Sequence, residues 1–388
     1  MNSGFKEFDG NLMLGINKNW GHSYFNVSSY NTTLNIVEGE RDADGKFTFI
    51  NSNGDDVTAT DEDYKGYKVG FPHQKINHLR LTSNNYFLLK NGTINADFAF
   101  QNNKRKEFAD ATNPDEKELF FDLNTFNYNV RYNVKETNNW ETSFGIGGMQ
   151  QSNTNKGVEA LIPDYQFFDA GAFVFTQKTF NKNLTLAGGL RFDNRNVDAQ
   201  EMLEDTDVKF AKFNKNYSGI SGSLGLSYQL DKQSTLKLNL SRGFRAPNIA
   251  ELSSNGIHEG TFRYEIGDIN LKSEISHQID AAYFLNSDHI SFEFTPFVNF
   301  ISNYIYTEKM QDANGNDVII DPSDPVPAFR FTQGNAQLFG GEIFLDFHPH
   351  PFDWLHVENS FSYVRATQNN RPENEKFLPC ASLLPIRN

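Results

Sequence analysis

Apolar and polar residues alternate one by one along most of this chain. Ile94, Ala96, Phe98 and Phe100 interleave with Asn95, Asp97, Ala99 and Gln101. Phe126, Tyr128, Val130 and Tyr132 interleave with Thr125, Asn127, Asn129 and Arg131. The same period holds over Leu184–Asp193, Ile220–Leu230 and Ile290–Phe300. A β-strand turns successive side chains to opposite faces, so each segment carries one apolar and one polar face. No window longer than about ten residues favours the period of a helix. The pattern predicts fourteen strands: 11–16, 20–33, 76–83, 86–102, 118–133, 140–150, 166–180, 184–194, 217–229, 234–243, 274–286, 289–306, 329–348 and 354–367.

The connections alternate as well. Short ones rich in Asn, Asp and Pro fall at 17–19, 84–85, 134–139, 181–183, 230–233, 287–288 and 349–353. Long polar ones lie between them, at 34–75, 103–117, 151–165, 195–216, 244–273 and 307–328. Many of the strands are far longer than the usual five or six residues or so. Long strands with short turns on one side and long loops on the other suit an up-and-down transmembrane β-barrel. Phe and Leu would then face lipid, and Asn, Thr, Gln, Arg and Asp a wet lumen. Trp20, Tyr132, Trp140 and Trp354, near strand ends, would sit at the membrane interfaces.

Composition narrows the choice. Of 388 residues, 37 are Phe and 14% are aromatic, which argues against disorder. The net charge of −14 disfavours a nucleic-acid partner, which would need a basic face. A single cysteine, Cys380, excludes an internal disulfide framework and any cysteine-rich metal centre. No run of about 18 apolar residues is present to form a membrane helix.

Several segments carry a resemblance. Gln101–Glu107 (QNNKRKE) resembles a strand-end "YQxNxRxE" segment, with Phe100 in the place of Tyr. Leu161–Tyr165 is LIPDY, and Gly188–Asp193 (GGLRFD) is similar to "aGlRyD". Ser241–Asn248 (SRGFRAPN) resembles "SxGFRAP" and continues through Glu251, Gly256, His258, Tyr264, Glu265, Asp268 and Glu274. Asn335, Ala336, Gly340 and Glu342 fit "nAxxxGxE", and Phe377–Pro379 resembles the opening of "LPxxPxxR". In this order, on this strand map, the chain resembles the TonB-dependent outer-membrane receptors.

That resemblance implies an all-β, antiparallel up-and-down transmembrane barrel, of the roughly 22-strand class. The fourteen strands would be the sixth to the nineteenth, so residues 1–388 are expected to form a partial barrel domain without the plug or the last strands. No candidate TonB box is present. The implied location is the cell outer membrane. The implied role is uptake of a scarce solute, a metal ion or metal chelate such as siderophore-iron, haem, zinc or copper. The implied partners are TonB, through the plug, together with membrane lipid. No resident cofactor and no catalysis are expected, and neither GxSxG nor HExxH occurs. The alternative is a surface-exposed β-barrel that binds or adheres without active transport.

Candidate cargo contacts gather in the loop 244–273: His258, Glu259, Arg263, Tyr264, Glu265 and Asp268. Imidazole with carboxylate suits a transition metal or its chelate. The run His258-x-Gly260-Thr261-x-x-Tyr264-Glu265 most resembles receptors for zinc or haem-type cargo. The competing expectation is that these residues only shape the loop. Arg191, Arg242 and Arg245 are expected to face the lumen and pair with its carboxylates. His348, His350 and His356, in HPHPFDWLH, read as a Pro-flanked turn rather than a metal cage. Asp312–Asp317 lacks the Gly at position six and the acid at position twelve of a calcium loop, so it reads as a loop tip.

Overall fold

In the computed structural model, the structure describes residues 4–36, 41–67, 69–258, 263–322, 325–352, 354–369, 371, 376 and 377. Almost all regular structure there is β. In the first half run β1 (Phe5–Lys18), β2 (Gly21–Asn35), β3 (Thr48–Ile50), β4 (Asp56–Thr58), helix α1 (Asp61–Lys65), β5 (His73–Leu89), β6 (Gly92–Phe108), β7 (Phe120–Val134), β8 (Trp140–Asn155) and β9 (Tyr165–Phe180). Then come β10 (Leu184–Ala199), β11 (Met202–Glu204), β12 (Asp207–Phe210), β13 (Phe213–Gln229), β14 (Ser234–Arg245) and helix α2 (Ile249–Ser253). The last are β15 (Asn255–His258), β16 (Arg263–Ile266), β17 (Glu274–Asn286), β18 (Ile290–Lys309), β19 (Ala328–Phe347) and β20 (Val357–Gln368).

The fourteen long strands pair in sequence order, β1-β2-β5-β6-β7-β8-β9-β10-β13-β14-β17-β18-β19-β20, and every one of these pairings is antiparallel. In such a meander successive connections leave at opposite ends. The long connections therefore share one rim and the short ones the other, as the sequence pattern predicts. The six short strands lie in the long connections. One of them makes a parallel pair: β16 runs along the start of β19, with Tyr264 opposite Ala328 and Ile266 opposite Arg330. The sheet is thus mixed, with its parallel element confined to a loop strand.

One predicted break is absent. β5 continues through Asn84 and Asn85 to Leu89, and the turn falls at Lys90–Asn91. Both asparagines bond to the next strand, Asn84 Nδ2 to Asp97 Oδ1 at 2.8 Å and Asn85 Nδ2 to the Ala96 carbonyl at 2.9 Å. Successive strand residues face opposite sides, so the two amides tie the hairpin on both faces, and each Asn is a cross-strand tie rather than a turn signal. The turn after β9 does follow its sequence. Asn181 and Lys182 both take positive φ, 49° and 66°, which matches the twist of a tight hairpin.

The two faces differ sharply. One carries a lattice of amide and carboxylate bonds: Asn133 to Asn95, Asn84 to Asp97, Gln151 to Thr125 and Asn239 to Asp280. The other exposes rows of large apolar side chains, among them Phe98, Phe100, Phe126, Leu190, Phe192, Ile220 and Leu224. The buried core is small and sits at the long-loop rim. Val197, Ala199, Phe213 and Tyr217 meet Ile249 and Leu252 of α2 and Leu271 there.

Candidate functional site

The connection from β14 to β17 holds most of the predicted contacts. It begins with Arg245, whose guanidinium grips two carboxylates. Nε and Nη2 reach Glu274 at 2.7 Å each, and Nη1 reaches both oxygens of Glu251 at 2.9 Å. Glu274 Oε1 also accepts the Ile305 backbone N–H at 2.7 Å. This fixes α2, whose first turn is closed by a reciprocal capping box between Asn248 and Glu251. Ala246 and Pro247 are buried beside it.

α2 therefore packs its apolar side, Ile249 and Leu252, onto Val197 and Ala199. Alternation along β10 places those two on the same face as Arg191, Asp193 and Arg195, opposite Leu190 and Phe192. The connection consequently turns inward over the polar face. It is tied down by Tyr217 Oη donating to the Leu271 carbonyl at 3.3 Å and by the Asn255 N–H donating to the Leu161 carbonyl at 3.3 Å. The LIPDY segment is thus one wall of the same assembly, with Asp164 Oδ1 accepting from the backbone and side chain of Asn155 at 2.7 and 2.9 Å.

The structure finds partners for four of the six loop candidates. Arg263 and Glu265, two apart on β16, form a salt bridge at 2.7 Å, with the Glu265 side chain only 7% exposed. The Arg263 guanidinium also lies 5.3 Å from the Phe329 ring centre. Tyr264 Oη donates to Asn255 Oδ1 at 2.9 Å. Burial raises the Tyr264 phenol pKa, with Glu204 and Asp321 adding to the effect. Asp268 accepts the Asn270 N–H at 2.8 Å and closes a turn onto α2 through its own N–H to the Glu251 carbonyl at 2.9 Å. Glu259 lies outside the described residues. His258 pairs through its backbone with Arg263, and its side chain lies outside the described part.

The three predicted lumen arginines separate. Arg191 and Arg245 line one cavity of about 270 Å³ with Asp169, Asp193 and Arg195. There Arg191 pairs with Asp193 at 2.6 Å and Arg195 with Asp169 at 2.5 Å. Arg242 parts from them. Alternation in β14 sets it with Leu238 and Leu240, beside Leu190, Ile220 and Phe300, and its guanidinium reaches the Ile220 carbonyl. A larger polar cavity of about 580 Å³ lies farther along the inner face, lined by Asn26, Arg80, Asn84, Asp97, Asn127 and Asn129 among others.

Among the described residues, the group of metal-ligating side chains that come together is not in this loop. It is Asp346, His348 and His356, at the opposite rim. Two of its histidines belong to the segment that the sequence pattern makes a turn. Asp346 was missed, although it lies two residues from His348 and so on the same side of the strand.

The site is thus an alternating sheet with a polar concavity under an inward-folded connection. The family model for the TonB dependent receptor-like β-barrel matches residues 8–379, and the chain belongs to that family. Membership places it in the outer membrane. A curated relative, TonB-dependent heme receptor A of Haemophilus influenzae (strain 86-028NP), is 23% identical over 285 residues, 66% of this chain and 37% of that protein. Among solved structures, the copper transporter OprC superposes with a TM-score of 0.69 at 14% identity, covering 97% of this chain and 55% of OprC. The siderophore receptor PirA from Pseudomonas aeruginosa gives 0.64 at 14% identity, covering 94% and 59%. The chain therefore spans between about a third and three fifths of these proteins' lengths.

Proposed function

We propose that the chain is the membrane-spanning portion of a larger outer-membrane barrel that imports a metal ion or metal chelate with the help of TonB. The carrying observation is the inward fold of the connection 244–273, pinned by Arg245 and α2 over the polar concavity. An outer loop in that position can gather solute and deliver it to the lumen. Two further points support the reading. Fourteen long strands of 12–20 residues exceed the roughly 9–11 that cross a bilayer. The proteins it resembles are named for haem, copper and siderophores, which share metal coordination.

In this reading the apolar rows face lipid, the long connections face outward and the short turns face the periplasm. The sheet closes as an up-and-down barrel with strands beyond those of this chain. His258 and Glu259 contact the cargo, whereas Arg263, Glu265 and Asp268 shape the loop that presents them. The test is uptake by the complete receptor in cells lacking other high-affinity routes, with haem, ferric siderophore or copper each as the sole supply. The double variant His258→Ala, Glu259→Ala should reduce cargo affinity at least tenfold while leaving receptor abundance unchanged. Unchanged uptake of all three cargoes would reject the metal-contact assignment. Loss of a sugar or vitamin instead would keep the transporter and change its cargo.

A further inference from the structure

The connection between β19 and β20 lies on the short-turn rim, opposite the loop just described. Asp346 is the next-to-last residue of β19, His348 follows the strand by one residue, and His356 precedes β20 by one. Asp346 and His348 are two apart and share the inner side. Asp346 stands directly opposite Glu358 in the ladder, and His356 is two residues from Glu358, so it joins the same side. Three donors from two chain segments therefore converge, one from the end of β19 and two from the residues that immediately flank the connection to β20.

Their ligating atoms all lie within 4.8 Å of one another. His348 Nδ1 is 3.0 Å from Asp346 Oδ2, and His356 Nδ1 is 3.5 Å from Asp346 Oδ1. Ligands at about 2.1 Å from a tetrahedral zinc ion stand about 3.4 Å apart, so two of the three spacings already approach a coordination polyhedron. The imidazoles are stacked, 5.5 Å apart and 18° from parallel, with both Nδ1 atoms turned to the one carboxylate. Asp346 Oδ1 is buried and, among the described residues, has no hydrogen-bond partner. His348 is positioned by its backbone N–H, which donates to the His289 carbonyl at 2.9 Å. The neighbouring His289 and His350 are engaged with each other, the His350 N–H donating to His289 Nδ1 at 3.3 Å.

We propose that Asp346, His348 and His356 form a binding site for a divalent transition metal, with zinc or copper(II) favoured by two imidazoles and one carboxylate. The exposed Glu358 carboxylate, across the ladder from Asp346, is the nearest candidate for a fourth ligand. A metal there would staple the turn 348–356 to the ends of both strands. The site lies on the opposite rim from the proposed cargo loop and does not depend on the uptake reading.

The experiment uses the full-length protein purified in detergent, stripped with a chelator, and titrated with zinc chloride against a chromophoric zinc indicator at pH 7.5. One equivalent should bind to the unaltered protein, and cobalt(II) should give the absorption bands of a nitrogen–oxygen tetrahedral site. His348→Gln with His356→Gln should weaken zinc binding at least tenfold, and Asp346→Asn should do the same on its own. His289→Gln with His350→Gln should leave it unchanged, as should His258→Ala with Glu259→Ala. Heat-modifiable migration in gels reports that each variant is folded. Absence of stoichiometric zinc in the unaltered protein overturns the site, as does full affinity in the folded Asp346→Asn protein.

Discussion

At the scale of single residues, the long-loop rim is held by charge pairs in which one side chain serves two partners. Arg245 is the clearest. Removing it would leave the mostly buried Glu251 and Glu274 carboxylates facing each other without a cation. Breaking a buried pair costs about 3–5 kcal/mol. Arg245 is itself 42% exposed, so water would screen part of the loss. Arg245→Ala should therefore destabilise the rim by about 2–3 kcal/mol. Arg245→Lys should recover only part of this, because an ammonium cannot grip two carboxylates with a planar fork. Urea unfolding in detergent checks both, with protease cleavage near α2 as the local readout.

Exposed loop tips are also residue-scale structures, and one template recurs. Asp42 Oδ1 accepts the N–H groups of Asp44 and Lys46, Asn51 Oδ1 those of Asn53 and Asp55, and Asp312 Oδ1 those of Asn314 and Asn316. Each closes on a glycine with positive φ, at Gly45, Gly54 and Gly315. The Asp312 carboxylate is spent on its own backbone, which explains why this stretch is a tip and not a calcium loop. The backbone N–H of Asn316, with its side-chain amide and Asn314, holds the Asp312 pKa below the usual carboxylate range. A depressed pKa contributes order that is fully present above the unfolded value of about 3.9 and is lost as pH falls through the folded one. Amide protection at Asn314 and Asn316 should be flat from pH 8 to 5 and collapse only in stronger acid. Asp312→Ala should lose that protection at every pH.

At the scale of elements, hairpins and long strands were open to reading from sequence, because period-two alternation and turn residues are local. Where Asn181 and Lys182 both hold positive φ, the lysine carries a steric cost that glycine would not. Lys182→Gly should raise stability by about 1 kcal/mol, measured as a shift in the urea midpoint without a change in slope. Other features depended on distant partners and were not legible. Asn84 and Asn85 have turn composition but sit in a strand, since Asp97 and Ala96 lie across from them. The hairpin β15–β16 joins β19 more than sixty residues later, a register that no local pattern specifies. Arg242 looked like its neighbour Arg245, yet three residues along a strand reverse the face. The loop candidates were legible as a group. Their roles were not, because Glu265 and Asp268 are chosen by Arg263 and α2, partners that only the folded loop supplies.

At the scale of the whole molecule, the two faces of the sheet call for two different solvents. Exposed rows as large as Phe98, Phe126, Leu190, Ile220 and Phe361 far exceed the scattered apolar residues of a water-soluble surface. The opposite face binds its own amides into a lattice that only water or polar solute would complete. β1 is exposed along its full length, and among the described residues no pairing joins it to β20. An unpaired strand edge is intolerable in hydrocarbon, where each orphaned N–H and C=O goes without water. A membrane-embedded form therefore requires those edges to be paired, as they would be in the larger barrel proposed above. Nitroxide labels discriminate the faces residue by residue in the complete protein reconstituted in lipid. Labels at 98 and 190 should be relaxed by oxygen, which concentrates in the bilayer, and labels at 97 and 191 by a water-soluble nickel complex. Leu190, 63% exposed at the centre of its strand, is the sharpest single probe. Leu190→Arg should cost about 2–4 kcal/mol of stability in the bilayer, whereas the same change at Ser221, across the ladder from Arg191, should cost far less. Equal penalties at the two positions would mean that the apolar rows do not face lipid, and the membrane reading of the sheet would fall with them.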